Sequence, residues 1–513
     1  MTDTDFKGLV CGARAVAKAE FDARARRVAA GLRDFGIVPG DAVALLLRND
    51  IAVLEASFGA RALGAYAVPI NWHLVGREVA YIIEDCGARV LIAHADLLNA
   101  VADAVPAGIE VVVVPDAPDL QAVFRLSDEA CAMPPGARVW DDWIAGLAPI
   151  EELYDEIPDS MIYTSGTTGM PKGVRRLPQT REGLAHTAEA RSRINGVKPG
   201  MRTVIPGPLY HSAPNGYGLL SAHVADLTVV MPRFDAEGML ALIDRYKLSG
   251  AIMAPTMFIR LLKLPEEVRA KYDVSSMRFV IHAAAPCPTE IKRAMIDWWG
   301  PVINEFYGST EVGHVTFCDS EEALAKPGTV GKRCPGTVAK ALDDEGNEQP
   351  VGVPGEIYGR VGHFPDFTYH NMPDERAKLD RDGLVATGDV GYFDEDGYLF
   401  LCDRKRDMVI SGGVNIYPAE IEAVLVGMPE VADCAVFGIP DAEFGEKLMA
   451  VVQPHGGAAP SAGEIKAYLR ERLAGYKVPR LIELREKLPR DDSGKIYKRL
   501  LRDPYWQDHE TRI

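Results

Sequence analysis

Between residues 21 and 35 (FDARARRVAAGLRDF) the apolar positions recur at three- and four-residue steps among charged ones, which predicts an amphipathic helix. A turn over 36–41 and a buried strand over 42–47 follow. The alternation repeats as a helix over 51–63, a strand over 65–69, a helix over 77–86 and a strand over 89–93. Later, a helix over 237–247 precedes a strand over 251–254, and a helix over 290–299 precedes a strand over 302–305. Such alternation is how helices come to cover a largely parallel sheet, so the expected class is α/β and not a short-period repeat. Residues 113–144 break into short apolar pieces among prolines and glycines, and are expected to form a surface excursion or a connection between subdomains.

From 326 to 402 the texture changes to short β-prone stretches joined by turns, such as GEIYGR and DEDGYLFLC, which predicts a β-rich subdomain. Beyond 406 come a strand over 408–410, a helix over 418–426, strands over 434–437 and 448–452, and a helix over 461–473. That tail is long enough to fold as a compact unit. The expected division is therefore a domain over 1–403, containing the β-rich part, and a second domain over 404–513, with the boundary inside 403–407.

A length of 513 residues allows several domains, and 47% hydrophobic with 25% charged residues excludes a collagen-like or wholly disordered chain. The formal charge of −17 argues against a nucleic-acid coat or a polybasic membrane module, while leaving room for a local basic pocket. Eight cysteines without a CxxC pair suit core thiols better than a disulfide framework or a zinc site. No apolar run reaches the roughly 18 residues of a membrane span, and the start MTDTDFKGLV lacks a signal-peptide pattern, so a cytoplasmic protein is expected. A homo-oligomer is compatible with all of this.

The sharpest local feature is YTSGTTGMPKG over 163–173. Thr164, Ser165, Thr167 and Thr168 alternate with Gly166 and Gly169, and Lys172 follows. Glycines permit tight turns that expose amide donors, hydroxyls add donors, and the ammonium adds charge, a combination suited to phosphate. The spacing is neither GxxxxGK[ST] nor GxGxxG. Composition alone leaves a polar surface turn open.

TSGTTGMPKG resembles the signature of the adenylate-forming acyl-CoA synthetases, a superfamily that also holds firefly luciferases and nonribosomal peptide adenylation domains. YGSTE (307–311), TGD (387–389), DRKRD (403–407), the glycine pair 412–413 and the Gly-Lys pair 494–495 follow in that superfamily's order, so the resemblance spans nearly the whole chain. It implies a large N-terminal domain of mixed and parallel sheets, a small mobile α+β C-terminal lid, and an active site between them. It also implies the reaction: ATP activates a fatty or aryl carboxylic acid as an acyl-adenylate with release of pyrophosphate, then coenzyme A takes the acyl group and AMP leaves.

The resemblance assigns residues as well. The loop from Thr164 to Lys172 would surround pyrophosphate; Tyr307 would stack near adenine, with Asn304 on the same wall; Thr310 would approach the α-phosphate. Glu311 would hold Mg²⁺, Asp389 the ribose, and Arg404 the nucleotide near the hinge. Arg406 occupies the hinge position, where relatives usually carry Lys or Asp. Lys495 matches the lysine that reaches the carboxylate and α-phosphate during adenylation, whereas Lys498 and Arg499 lie off that position and are expected on the solvated surface. Gly412 and Gly413 would border the pantetheine channel. His211, in PLYH, would contact the carboxylate or gate the acyl tunnel, although the residues alone equally allow a hydrogen-bonded structural histidine. Phe258, Ala283, Ala284 and Ala285 are expected as acyl-pocket walls, the alanines standing in HAAAPCP where many relatives have a Gly-rich stretch. No fixed cation is visible on the acyl side, which favours an apolar aliphatic or aryl acid over malonate. Transfer to a carrier-protein thiol, or a nucleotide-binding scaffold without catalysis, are the alternatives.

Overall fold

Helix Lys18–Asp34 buries Phe21, Ala25, Val28, Ala29 and Leu32, the apolar stripe of its sequence, and packs on helix Ile51–Ala62. The computed structural model of the chain describes residues 3–164, 170–362, 364–411, 414–441, 443–455, 459–490 and 496–507. Five parallel strands follow the predicted alternation in the order Tyr66–Pro69, Ala42–Leu46, Val90–His94, Glu110–Val114 and Arg138–Val139. The last of these departs from the expectation of a surface excursion over 113–144. Arg138–Val139 extends the sheet edge, and the helix Trp140–Ala145 drives Trp140 into the core at 2% exposure.

A second, larger sheet of fourteen strands among the described residues sets the geometry of the molecule. Its first half is parallel, with Ile303–Ser309, Phe279–His282, Gly250–Met253, Arg202–Ile205, Leu227–Val230 and Gly8–Cys11 in spatial order. At Ile303–Ser309 the direction changes: the next neighbour, Gly313–Cys318, is antiparallel, and the β-rich stretch continues from it through Thr329–Arg333, Tyr398–Arg404, Leu384–Phe393, Gly355–Val361 and Thr337–Leu342. Backbone hydrogen bonds thus join the β-rich strands to the parallel ones without a break. Strand Ile303–Ser309 is a topological switch, and in open α/β sheets ligands bind beyond the carboxyl ends of the strands at such points.

Residues beyond 408 build a separate five-stranded sheet centred on the hairpin Val431–Asp441 and Gly445–Pro454. Helices Pro418–Val426 and Ala462–Arg470 cover it, and Ile421, Leu425, Val436, Val452 and Leu469 fill a core of its own. No described helix is long and apolar enough to cross a membrane, and all eight cysteines are free.

Candidate active site

The carboxyl ends of the parallel strands open into a cavity of about 2,380 Å³. His211, Ala283, Ala284, Ala285, Thr310 and Glu311 stand there because each follows one of those strands by a few residues. Strands Leu384–Phe393 and Tyr398–Arg404 bring in Asp389 and Arg404 from the antiparallel half, where the two residues are register partners.

Tyr307 joins the halves. Its hydroxyl donates to Asp389 Oδ2 at 2.8 Å, and Arg404 Nε lies 3.6 Å from Asp389 Oδ1. The Asp389 amide donates to Thr387 Oγ1, whose hydroxyl in turn donates to the Ile357 carbonyl at 2.8 Å. Burial lifts the Asp389 pKa above the ordinary carboxylate range, against the pull of Arg404 and of the Tyr307 hydrogen bond. The same burial, with the neighbouring carboxylate, pushes the Tyr307 phenol well up, so it stays a donor.

Opposite lies a hairpin. Strand Ile162–Thr164 pairs antiparallel with Lys172–Arg176, and Thr164 is register partner to Lys172, so both ends of the hydroxyl-rich loop are fixed side by side on the cavity wall. Ser165, Gly166, Thr167, Thr168 and Gly169 lie outside the described residues, as do Gly412, Gly413 and Lys495. The Lys172 ammonium donates to Glu375 Oε2 at 2.5 Å and stands 5.2 Å from the centre of the Tyr369 ring. Hydrogen bonds from Lys172 and Lys378 pull the Glu375 pKa down to about 2.

Directly after Tyr307 in the chain, the turn following Ser309 also lines the cavity. Thr310 donates from its hydroxyl to Ser212 Oγ at 3.0 Å, and Glu311 Oε1 accepts from the Tyr369 hydroxyl at 3.0 Å. Behind the turn, Arg176 Nη2 donates to the carbonyls of Thr310 and Glu311 at 2.6 and 2.8 Å, and Nη1 to Pro365 O at 2.7 Å. Burial lowers the Arg176 pKa to about 10, and its guanidinium lies 4.3 Å from the Phe364 ring centre. Arg176, Tyr369 and Glu375 belong to no phosphate or nucleotide motif, and nothing in the sequence alone singled them out.

Two expected wall residues stand elsewhere. Strand alternation turns Asn304 away from Tyr307; its amide donates to the carbonyls of Val280 and Val302, at 3.3 and 2.9 Å. Glu305 lines the cavity in its place, paired with Lys292 from helix Thr289–Trp299, and burial raises the Glu305 pKa against that pairing. Phe258 is fully buried and meets His282 edge-on at 5.3 Å, while Thr256, Met257 and Ile259 of the same helix face the cavity. Ala284 adopts φ 76, the left-handed region, where a Cβ costs about 1–2 kcal/mol and glycine would not.

Two family models match the chain: the AMP-binding enzyme over residues 7–363 and the AMP-binding enzyme C-terminal domain over 420–495. The chain belongs to the AMP-binding enzyme family. It is 33% identical to a long-chain-fatty-acid–CoA ligase of Mycobacterium tuberculosis, over 95% of this chain and 92% of the relative. It is 31% identical to a fatty acid–[acyl-carrier-protein] ligase of Streptomyces coeruleorubidus, over 98% and 94%. Its fold superposes on the crystal structure of an anthranilate CoA ligase in complex with anthranoyl-AMP with a TM-score of 0.84 and 28% identity, covering 98% of this chain and 94% of the other. In this AMP-binding protein the remaining wall comes from the terminal sheet's side. Arg404, Arg406, Glu422 and, where the described chain resumes, Ile496 and Lys498 all line the cavity. Lys498 is not a solvated surface group: its Nζ lies 2.8 Å from Glu422 Oε1, and burial raises the Glu422 pKa to about 7.

Proposed function

We propose that this chain is an ATP-dependent acid:CoA ligase, a domain over 1–403 presenting ATP and acid to a lid over 404–513. In the first half-reaction a carboxylate oxygen of the acid attacks the α-phosphorus of ATP; the bond to the β-phosphate oxygen breaks and pyrophosphate leaves. In the second, the CoA thiol attacks the acyl carbonyl, gives up its proton, and the carbonyl–oxygen bond to AMP breaks. The observation that carries this reading is the convergence of Tyr307–Asp389–Arg404, the Thr164–Lys172 hairpin and the Thr310–Glu311 turn on one cavity.

Each group has work suited to its chemistry. Asp389, ionised, accepts from both ribose hydroxyls, and Tyr307 offers a face to adenine. Lys172 and the hydroxyl loop hold pyrophosphate oxygens, Thr310 the α-phosphate, and His211 the mouth of the acyl limb. Lys495 brings an ammonium to the carboxylate and α-phosphate, easing the approach of two anions. Glu311 fits Mg²⁺: with one oxygen taken by Tyr369, it offers the single carboxylate that this ion commonly takes beside phosphates and water. Such an ion would screen the phosphate charge. Small glycines at 412 and 413 suit a pantetheine passage, Arg406 serves as hinge, and Ala283 and Ala284 form a close wall for the acid.

The M. tuberculosis relative supports a fatty acid, the anthranilate ligase supports an aryl acid, and both support CoA as acceptor. The Streptomyces relative supports a carrier-protein thiol as the second reading. A panel of fatty and aryl acids with ATP, Mg²⁺ and either CoA or a phosphopantetheinylated carrier protein, followed by mass spectrometry of AMP and thioester, tests it. Acid-dependent pyrophosphate with acyl-CoA is expected; thioester on the carrier alone would favour the second reading, and AMP binding without turnover would reduce the protein to a scaffold. The free thiols suit a cytoplasmic setting.

A further inference from the structure

One limb of the cavity leads away from the nucleotide wall, along helix Ser212–Val224. Ser212, the partner of Thr310, stands at its near end, and Gly216, Leu219, Leu220 and His223 line it at helical spacing. His223 lies eleven positions after Ser212, so the limb runs for about 16 Å at 1.5 Å per residue. Its middle is apolar, with Phe58, Leu184 and Ala188 facing in. Its flank is cationic: the guanidiniums of Arg61, Arg176 and Arg191 line the cavity around Asp159, and towards the far end Lys18 is paired with Asp22.

Those three guanidiniums are not equally occupied. Arg191 grips Asp159 with both Nη groups, at 3.1 and 2.6 Å. Arg176 spends its donors on three backbone carbonyls. Arg61 uses Nε on the Pro158 carbonyl at 3.0 Å, and its two terminal Nη groups have no hydrogen-bond partner among the described residues. At the far end, burial, then Lys18, then Arg61 hold the His223 imidazole pKa below the ordinary value against Asp22, and Lys18 is itself paired with Asp22 at 2.6 Å. The carboxylate that acts on Arg61, Asp159, is already held by Arg191, and a guanidinium left to share its counter-ion beside an apolar limb favours a ligand that supplies another.

We infer that the acid activated here is elongated and carries a second carboxylate at its far end, bound by Arg61. This deepens the ligase reading and rests on it: one carboxylate meets the α-phosphate beside Thr310, and the other lies along the limb at Arg61. The flank was not visible from sequence, where no fixed cation could be assigned to the acyl side. Arg61 and Arg191 come from helices nearly 130 residues apart, and only the fold sets them across one limb.

The test measures acid-dependent pyrophosphate release with dodecanedioate and dodecanoate, for the full chain and for Arg61→Gln. The wild type should prefer the diacid in kcat/KM, and Arg61→Gln should cut that preference by about tenfold or more while leaving the monoacid within about twofold. Arg61→Lys should keep part of the preference, and an unchanged affinity for AMP will show that the variants fold. If Arg61→Gln does not fold, the wild-type ratio and Arg61→Lys decide. A wild type that prefers the monoacid, or a variant that loses both acids equally, overturns the inference. Pyrophosphate release from monoacids but not the diacid overturns it while sparing the ligase reading; release from no acid at all overturns both.

Discussion

At Asp389 burial works against the charge that the proposed ribose recognition needs, and the residues around it decide how far. Arg404 and the Tyr307 hydroxyl favour the carboxylate, Asp403 disfavours it, and Arg406 adds a smaller favourable field. The sign for a variant follows. Tyr307→Phe keeps the ring but removes a donor to the ionised form, so the Asp389 pKa should climb further. A carboxylate with a raised pKa is lost from its charged form as pH falls through that value. The acidic limb of AMP affinity should therefore move to higher pH, by about one unit for a hydrogen bond of roughly 1.4 kcal/mol. AMP titrations between pH 4 and 8 measure it; a limb that does not move would separate Tyr307 from the ionisation of Asp389. Tyr307, Asp389 and Lys172 were legible because their motifs fix residue type and spacing together. Asn304 was not: being three residues from Tyr307 in a strand points the two side chains to opposite faces, and Glu305 takes the cavity side. Glu375 and Arg176 act through a hydrogen bond across 203 residues and through backbone carbonyls, which leave no local pattern.

Elements with a strong period match their predictions to within a few residues: helix Ile51–Ala62, strand Ala42–Leu46, helix Thr289–Trp299 and helix Pro418–Val426. The stretch 113–144 failed for a physical reason. A two-residue edge strand, Arg138–Val139, is too short for any alternation, and the helix after it has six residues, so neither period can be seen. Two side chains, Trp140 and Ile144, anchor that element in the core. Trp140 is buried against the first core, and its indole Nε1 donates to Glu55 Oε2 at 3.2 Å, a carboxylate that also takes Arg24 Nε at 2.6 Å. Trp140→Ala should destabilise the protein by about 3–5 kcal/mol, through the cavity and the lost donor. Trp140→Phe should cost clearly less. Denaturant unfolding of both variants compares them; near-wild-type stability for Trp140→Ala would mean that 138–145 is a surface appendage after all.

On the scale of the molecule, the switch from parallel to antiparallel pairing at Ile303–Ser309 gathers the site. Parallel strands deliver their carboxyl ends to it, the antiparallel half delivers Asp389 and Arg404, and the hairpin at 162–176 closes one side. None of this follows from periodicity, because β-strand pairing across hundreds of residues is written in no window of sequence. The order of the motifs carried it indirectly, since loops that share one nucleotide must converge. The terminal sheet has its own core and reaches the cavity with residues from 404–434 and 496–502, the arrangement expected of a body that can present one face and then another. Lys495 gives this its sharpest consequence. In the proposed reaction its ammonium serves while carboxylate and triphosphate oppose each other, and not once the acyl-adenylate has formed. Lys495→Ala should lower acid-dependent pyrophosphate release by about a hundredfold or more, the scale of losing one charge-stabilising donor. Conversion of supplied acyl-adenylate and CoA to thioester should stay within about threefold of the parent, a difference below one kcal/mol. Single-turnover measurements of each half-reaction separate the two. Equal losses in both would mean that the terminal sheet keeps one pose throughout, and that acid activation and thioester formation draw on the same face.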